Sequence, residues 1–254
     1  MKALITGASS GIGYDMAYYL GSLGYDLILV ARNKAKLQEM QKDISTNVKI
    51  IVADLSIESK LKEVYVVCKN EKIDILINNA GFGACGKFEE VDLNTEIEMI
   101  NTNIKAVHVL TKLFLKDMKR RNKGYILNVA SAAAFQPGPL MATYYSTKAY
   151  VLRLTTSLYE ELRRDDSNVV VSCLCPGPVD TNFNNVANVK FSVKPLDSKY
   201  VSKYAIDQMF KKKLIIVPGL KMKLGVFFSR FLSTKRLARI VYGIQRKKLK
   251  REEK

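Results

Sequence analysis

Residues 2–13 read KALITGASSGIG, and YDMAYYLGSLG follows directly. KALIT is a short apolar strand, Gly7, Gly11 and Gly13 crowd the turn after it, and the continuation has helical periodicity. Strand, glycine-rich turn and helix in that order aim backbone N–H groups and a helix N-terminus at a phosphate. The spacing is G-x-x-x-G-x-G rather than the more familiar G-x-G-x-x-G. A turn of this kind also occurs as plain structure; its setting between strand and helix points to dinucleotide binding.

The same alternation continues along the chain. YDLILV (25–30) reads as a second strand, ending in Ala31-Arg32-Asn33. Folds that bind NAD place an acid near this point to hold ribose hydroxyls. Here Ala31 and Arg32 stand instead, and a guanidinium can fork onto a 2′-phosphate, so NADPH is the expected cofactor. The competing reading of Arg32 is a solvated loop cation. After the amphipathic KAKLQEMQKDI, VKIIVADL (48–55) is a third strand, with Asp54 either at the ligand crevice or capping the next helix. KIDILINNAG (72–81) is a fourth. A helical region runs from about Leu93 to Arg121 and contains Asn101 and Asn103, whose amides cost helix propensity and need partners. GYILNVAS, NVVVSCLCPG and KLIIVPG (213–219) complete seven strands. Strands alternating with helices in this rhythm predict a mostly parallel sheet covered on both faces.

Between the fifth and sixth strands lies SAAAFQPGPLMATYYSTK (131–148). Tyr144 and Lys148 are four apart in a helical pattern and share one face. A nearby ammonium favours phenolate, drawing the phenol down from about 10 and suiting it to proton transfer. Ser131 offers a hydroxyl to a substrate oxygen. Tyr145, three residues from Lys148, competes with Tyr144 on spacing alone.

Composition narrows the chemistry. The 254 residues suffice for one sizeable core, and no apolar run is long enough to span a membrane. The N-terminus lacks the pattern of a secretory signal, so a cytoplasmic protein is expected. Cys68, Cys85, Cys173 and Cys175 show no metal-ligand spacing, and the one histidine, His108, reads as a packed core residue. No metal site is predicted. Residues 1–180 hold 22 Lys/Arg against 20 Asp/Glu, whereas residues 181–254 hold 19 against 4. Such asymmetry points to an acidic partner or an anionic surface.

TGASSGIG, Asp54, NNAG (78–81), Asn103, Ser131, YYSTK (144–148) and PGPVDT (176–181), in this order, resemble the short-chain dehydrogenase/reductases. Within that family the chain is similar to bacterial NADP-dependent oxidoreductases related to 3-oxoacyl and 17β-hydroxysteroid reductases. The resemblance implies a single Rossmann-type, doubly wound α/β domain with a seven-stranded parallel sheet in the order 3-2-1-4-5-6-7. It implies hydride transfer between a nicotinamide and a small-molecule carbonyl or alcohol. Ser131 would hold the carbonyl oxygen, Tyr144 would protonate it, Lys148 would bond the nicotinamide ribose, and Asn103 would hold a water leading to Lys148. Gly7, Ser9, Ser10, Gly11, Ile12 and Gly13 would form the cofactor turn. Asp54 and Leu55 would sit by the adenine, Asn79 with Ala80 and Gly81 by its ribose, and Pro176, Gly177, Val179 and Thr181 over the nicotinamide. The family register selects Tyr144 over Tyr145. Ser9-Ser10 stand where many NADPH users carry a base, which leaves Arg32 as the cofactor signal. The family's subunit contacts imply a homo-oligomer, dimer or tetramer, through the helices at 93–121 and 142–165.

Residues 1–219 form the expected catalytic domain, with a substrate loop at about 182–213 in which Phe183, Phe191 and Tyr200 are either apolar walls or ordinary packing. Residues 220–254 are a basic, amphipathic helical extension: Leu224, Phe227, Phe228, Phe231 and Leu232 share one face, and Leu237, Ile240, Val241 and Ile244 another. Three readings fit them: packing on the domain or a second subunit, lying on an anionic membrane at its inner surface, or docking an acidic protein, with nucleic acid the weakest partner. The functional expectation is an NADPH-dependent reductase of a lipophilic ketone or 3-oxoacyl group. The alternative is a peripheral membrane or interaction protein that keeps a dinucleotide as ligand.

Overall fold

The structure is a computed structural model that describes residues 1–183 and 194–249. Phe191 and the last five residues lie outside the described residues. Seven strands, β1 (Lys2–Thr6), β2 (Asp26–Ala31), β3 (Val48–Val52), β4 (Ile75–Asn78), β5 (Gly124–Val129), β6 (Val169–Leu174) and β7 (Ile215–Ile216), form one sheet. Its order is β3-β2-β1-β4-β5-β6-β7, as expected, and every pairing is parallel.

The period-2 alternation of strand side chains divides the core in two. Ala3, Ile5, Leu27 and Leu29 point to one face, where α1 (Gly11–Ser22) supplies Met16 and Leu20 and α7 (Ser198–Phe210) supplies Val201 and Met209. Leu4, Ile28 and Val30 point to the other, against Leu61 and Val64 of α3 (Glu58–Cys68) and Leu110, Phe114 and Met118 of α5 (Val107–Arg120). A helix α2 (Lys34–Asp43) follows β2, and α6 (Ala142–Arg164) carries the Tyr144/Lys148 face.

Several expected elements are shorter. β3 stops at Val52, so Asp54 stands in the loop beyond it; β7 keeps only two residues, squeezed between the left-handed Lys212 (φ 56°) and Pro218-Gly219. The helical region at 93–121 is one rod in three parts: α4 (Leu93–Ile100), a π-helical turn (Asn101–Ala106) and α5. His108 is exposed rather than core, with its Nδ1 2.7 Å from the Tyr150 hydroxyl, because the buried stripe of α5 runs through Val107, Leu110, Thr111, Phe114 and Met118 and leaves it outside.

The extension forms α8 (Leu220–Ser229) and α9 (Thr234–Leu249). α9 docks by Leu237, Val241 and Gln245, a stripe narrower than expected, since Ile240 and Ile244 remain about half exposed. α8 buries no residue at all; Leu220 is 72% and Phe231, just beyond it, 73% exposed. Among the described residues no helix is long and apolar enough to cross a membrane.

Candidate active site

All seven strands run the same way, so their C-terminal ends share one edge, and the sheet order reverses between β1 and β4. An open α/β sheet leaves a crevice at that switch point. Here it is a cavity of about 570 Å³, lined at one end by Gly7, Ser9, Ser10, Gly11 and Ile12 and at the other by Ser131, Tyr144, Tyr145 and Lys148.

The glycine turn needs its glycines. Gly7 sits at φ 63°, and a Cβ there would lie 2.8 Å from the Ala80 Cα. Ser10 precedes α1 in an extended conformation and makes no side-chain cap, which leaves the first N–H groups of that helix for a ligand. Gly13 of the expected cofactor set does not line the cavity. It lies under the turn, where a Cβ would meet the Asn79 amide at 2.4 Å. That amide donates to Thr6 O (3.0 Å) and Gly7 O (3.1 Å), so Asn79 braces the turn with the group expected at the ribose. Ala80, Gly81, Leu55, Pro176, Gly177, Val179 and Thr181 all line the cavity, as their expected role requires.

Arg32 is at the cavity rim, 67% exposed, with Nη1 3.1 Å from Glu98 Oε1 and 3.8 Å from Asp54 Oδ2. Asp54 is itself folded back, accepting from the Ser56 N–H (2.9 Å) and hydroxyl (2.7 Å). Burial pushes its carboxyl up, but the Ser56 bonds and the Arg32 charge outweigh that and hold it below its ordinary value.

At the other end, Tyr144 is 8% exposed, with Ser131 near enough to its hydroxyl to draw the phenol's pKa down, while Ser131 Oγ donates to Pro176 O at 3.4 Å. Ser131 Oγ also accepts from the Ala133 N–H (3.1 Å), which orients it. Lys148 is buried below, with Nζ 5.8 Å from the Tyr144 ring centroid and donating to Val129 O at 3.0 Å. The expected lowering of the Tyr144 pKa by Lys148 is not what this geometry produces. Burial raises the phenol, the nearby Ser131 hydroxyl offsets only part of that, and Tyr145 adds to the rise. Burial also brings the Lys148 ammonium down to about 8, so it is a weaker cation than an exposed lysine.

Asn103 lies fully buried in the π-helical turn. Its Oδ1 accepts from the Phe82 N–H (3.1 Å), and its Nδ2 donates to Phe82 O (2.9 Å) and Thr147 Oγ1 (3.0 Å). With its side chain fully engaged, Asn103 does not face the cavity; it ties the Phe82 loop to α6 one residue before Lys148. Tyr145 lines the cavity beside Tyr144, with their rings 6.1 Å apart. Phe183 packs on the Tyr144 ring at 5.3 Å and is a wall, whereas Tyr200 stacks on Tyr204 away from the cavity. Glu98, Gln136 and Gln245 also line the cavity and lie in no motif, whereas Thr147, which accepts from the Asn103 amide, lies inside YYSTK.

The family model described as short chain dehydrogenase matches residues 1–190. The chain is a short-chain dehydrogenase. Mouse 17-beta-hydroxysteroid dehydrogenase type 3 is 34% identical over 197 residues, covering 75% of this chain and 64% of that protein. A short-chain dehydrogenase from Sphingobium yanoikuyae, solved with NADPH, has a TM-score of 0.81 at 29% identity, covering 86% of this chain and 88% of that one. A short-chain dehydrogenase/reductase from Burkholderia phymatum, solved with NAD, has a TM-score of 0.81 at 25% identity, covering 89% and 91%. This short-chain dehydrogenase is an oxidoreductase of carbonyl and alcohol groups that uses a nicotinamide dinucleotide.

Proposed function

We propose that this dehydrogenase reduces a lipophilic ketone or 3-oxoacyl substrate with NADPH, and that Ser131, Tyr144 and Lys148 act on the carbonyl oxygen. The observation that carries the reading is the placement of the buried Tyr144 beside Ser131 at the cavity end above Lys148. The open α1 N-terminus and the glycine turn fit a pyrophosphate, and the crevice beside Val179 and Thr181 fits a nicotinamide, which supplies hydride when bound. Ser131 and Tyr144 hold the oxygen in place, and the Tyr144 O–H gives it a proton. A phenol kept high by burial holds its proton until the oxygen becomes basic, which suits a general acid. Asn103 positions the Phe82 loop and α6. Apolar walls from Phe82, Met141, Phe183, Met222, Val241 and Ile244 support a lipophilic substrate. The test is NADPH oxidation by a panel of bulky ketones and 3-oxoacyl thioesters.

The preference for NADPH rests on Arg32. An exposed ion pair such as Arg32–Glu98 is worth about 0–1 kcal/mol, so the guanidinium can exchange Glu98 for a 2′-phosphate at little cost. Arg32→Ala is expected to weaken NADPH binding at least ~10-fold while NADH binding stays within about twofold, and Glu98→Gln to tighten NADPH severalfold. Titration of tyrosine or cofactor fluorescence reads both. Equal effects on the two cofactors would remove the assignment.

We further infer that α8 lies on an anionic lipid surface. Its exposed Leu220, Leu224, Phe227 and Phe228, with Phe231 beyond, are left open by the described residues, and no acidic residue occurs from 208 to 251. A symmetric contact with a second copy would set this positive face against itself, whereas anionic lipid complements it. Sedimentation with vesicles of phosphatidylcholine containing phosphatidylglycerol should deplete the protein from solution, and vesicles of phosphatidylcholine alone should not. Joint replacement of Phe227, Phe228 and Phe231 by Ser should lower binding on the order of 10-fold or more. Equal sedimentation by both vesicles, or a dimer in light scattering that this variant dissociates, would overturn the inference.

A further inference from the structure

The wall of the active-site cavity includes a side chain from far outside the matched family region. Gln245, eight residues along α9 from the buried Leu237, is 1% exposed and lines the cavity. Its Nε2 donates to the Tyr145 hydroxyl at 2.6 Å, across 100 residues of sequence. Its Oε1 is buried and has no hydrogen-bond partner among the described residues. Gln136, another lining residue, stands near enough to the Tyr145 hydroxyl to draw its pKa down. Around these three stand Met141, Phe183, Val241 and Ile244, all apolar.

A polar cluster inside an apolar wall costs stability unless each group finds a partner. Turning the Gln245 amide over does not remove the deficit: its oxygen would then accept from Tyr145, and its N–H groups would lose their partner. Apolar packing alone would be better served by Leu at this position. The cluster is held next to the reacting centre, since the Tyr145 ring is in edge contact with Tyr144 and rests on Gly138, where even a Cβ would overlap it. In a ligand cavity, a few convergent polar groups among apolar ones fix the ligand's orientation.

We propose that Gln245, with Tyr145 and Gln136, forms a subsite for a hydrogen-bonding hydroxyl carried by an otherwise apolar ketone, remote from its carbonyl. Rotation of the Gln245 amide turns its buried Oε1 to the cavity, where the ligand hydroxyl donates to it and accepts from the cluster. This rests on the carbonyl-reductase reading and narrows its substrate class. It also gives the extension a specific part in catalysis: α9 reads the far end of the substrate while the Tyr144 end holds the carbonyl.

The test uses the full chain and the 2-alkanones from hexan-2-one to dodecan-2-one, each paired with its ω-hydroxy counterpart. Binding is measured calorimetrically to enzyme saturated with NADP⁺, which cannot reduce a ketone, and turnover is measured separately with NADPH. At the chain length that spans the cavity, the hydroxy ketone should bind roughly 10- to 100-fold more tightly than its partner. Gln245→Leu should erase that preference, through KM rather than kcat, with the KM of the plain ketone moving less than that of the hydroxy ketone. Gln245→Met serves the same purpose if the Leu variant does not fold. Absence of any preference in the wild-type protein, or its survival in both variants, overturns the subsite. A preference in binding with no NADPH-dependent reduction would instead overturn the carbonyl-reductase reading and leave the subsite standing.

Discussion

Tyr144→Phe is expected to lower NADPH-dependent turnover by about 10³-fold or more, within the range assigned to loss of a positioned general acid, while changing the NADPH dissociation constant by no more than about twofold. The ring is the part of Tyr144 that packs, against Phe183 at 5.3 Å and Tyr145 at 6.1 Å, so phenylalanine keeps these contacts. What it removes is the hydroxyl beside Ser131 at that end of the cavity. Loss of that group leaves the developing alkoxide without a proton donor, an effect on the transition state rather than on binding. Steady-state kinetics beside a cofactor titration separates the two. Retention of a tenth of the activity would assign proton donation elsewhere, first to Tyr145, the half-buried neighbour whose hydroxyl also stands at the cavity.

Lys148→Met should do two things at once: reduce turnover on the order of 100-fold and stabilise the fold at neutral pH. Lys148 is buried, and burial, partly opposed by the nearby Cys173 and Cys175, brings its pKa from 10.5 to about 8. Below pH 8 the lysine is charged in both the folded and unfolded chains, so the folded state bears the whole cost of an ammonium in the interior. Between about 8 and 10.5 the unfolded chain holds the proton that the folded chain has released, and stability of the wild type therefore rises with pH. Methionine fills similar space without the charge. At pH 7 the variant should melt at least ~3 °C above the wild type, and the gap should narrow as pH rises through that interval. Differential scanning calorimetry at several pH values measures it. A variant less stable than wild type at pH 7 would mean that the bond to Val129 O outweighs the burial of charge.

These two residues, and the turn that faces them, were legible because their signals are local. Gly7 and Gly11, Ser131 and the four-residue step from Tyr144 to Lys148 depend on turn geometry and helical pitch, which a short stretch of sequence encodes. The sheet order came from the family resemblance, since alternation alone implies parallel strands without ordering them. What stayed hidden depends on distance in sequence. Nothing near residue 245 announces that its amide meets Tyr145, and nothing near 98 announces that a carboxylate meets Arg32. The rise in the Tyr144 pKa was hidden for the same reason: helical spacing reports that a lysine is near, but not how much water the surrounding chain excludes. His108 falls outside the core because the hydrophobic stripe of its apolar-rich helix covers only one side.

The π-helical turn at Asn101–Ala106 makes the long rod over the Tyr144 end of the cavity a crank rather than a shaft. Each residue of an α-helix advances the side-chain direction by about 100°, so the extra residue accommodated in a π turn rotates everything before it relative to everything after. Behind it, α5 aims Leu110 and Phe114 into the core; ahead of it, α4 is free to aim Glu98 at Arg32 and Glu96 at the Thr143 hydroxyl. Asn103 sits at the bend. Straightening the rod by deleting a single residue there would leave the core half seated and swing both glutamates off their partners. The cofactor end and the substrate end of this enzyme are thereby phased to one another by the pitch of six residues, none of which has to touch either ligand through its side chain for the timing to hold.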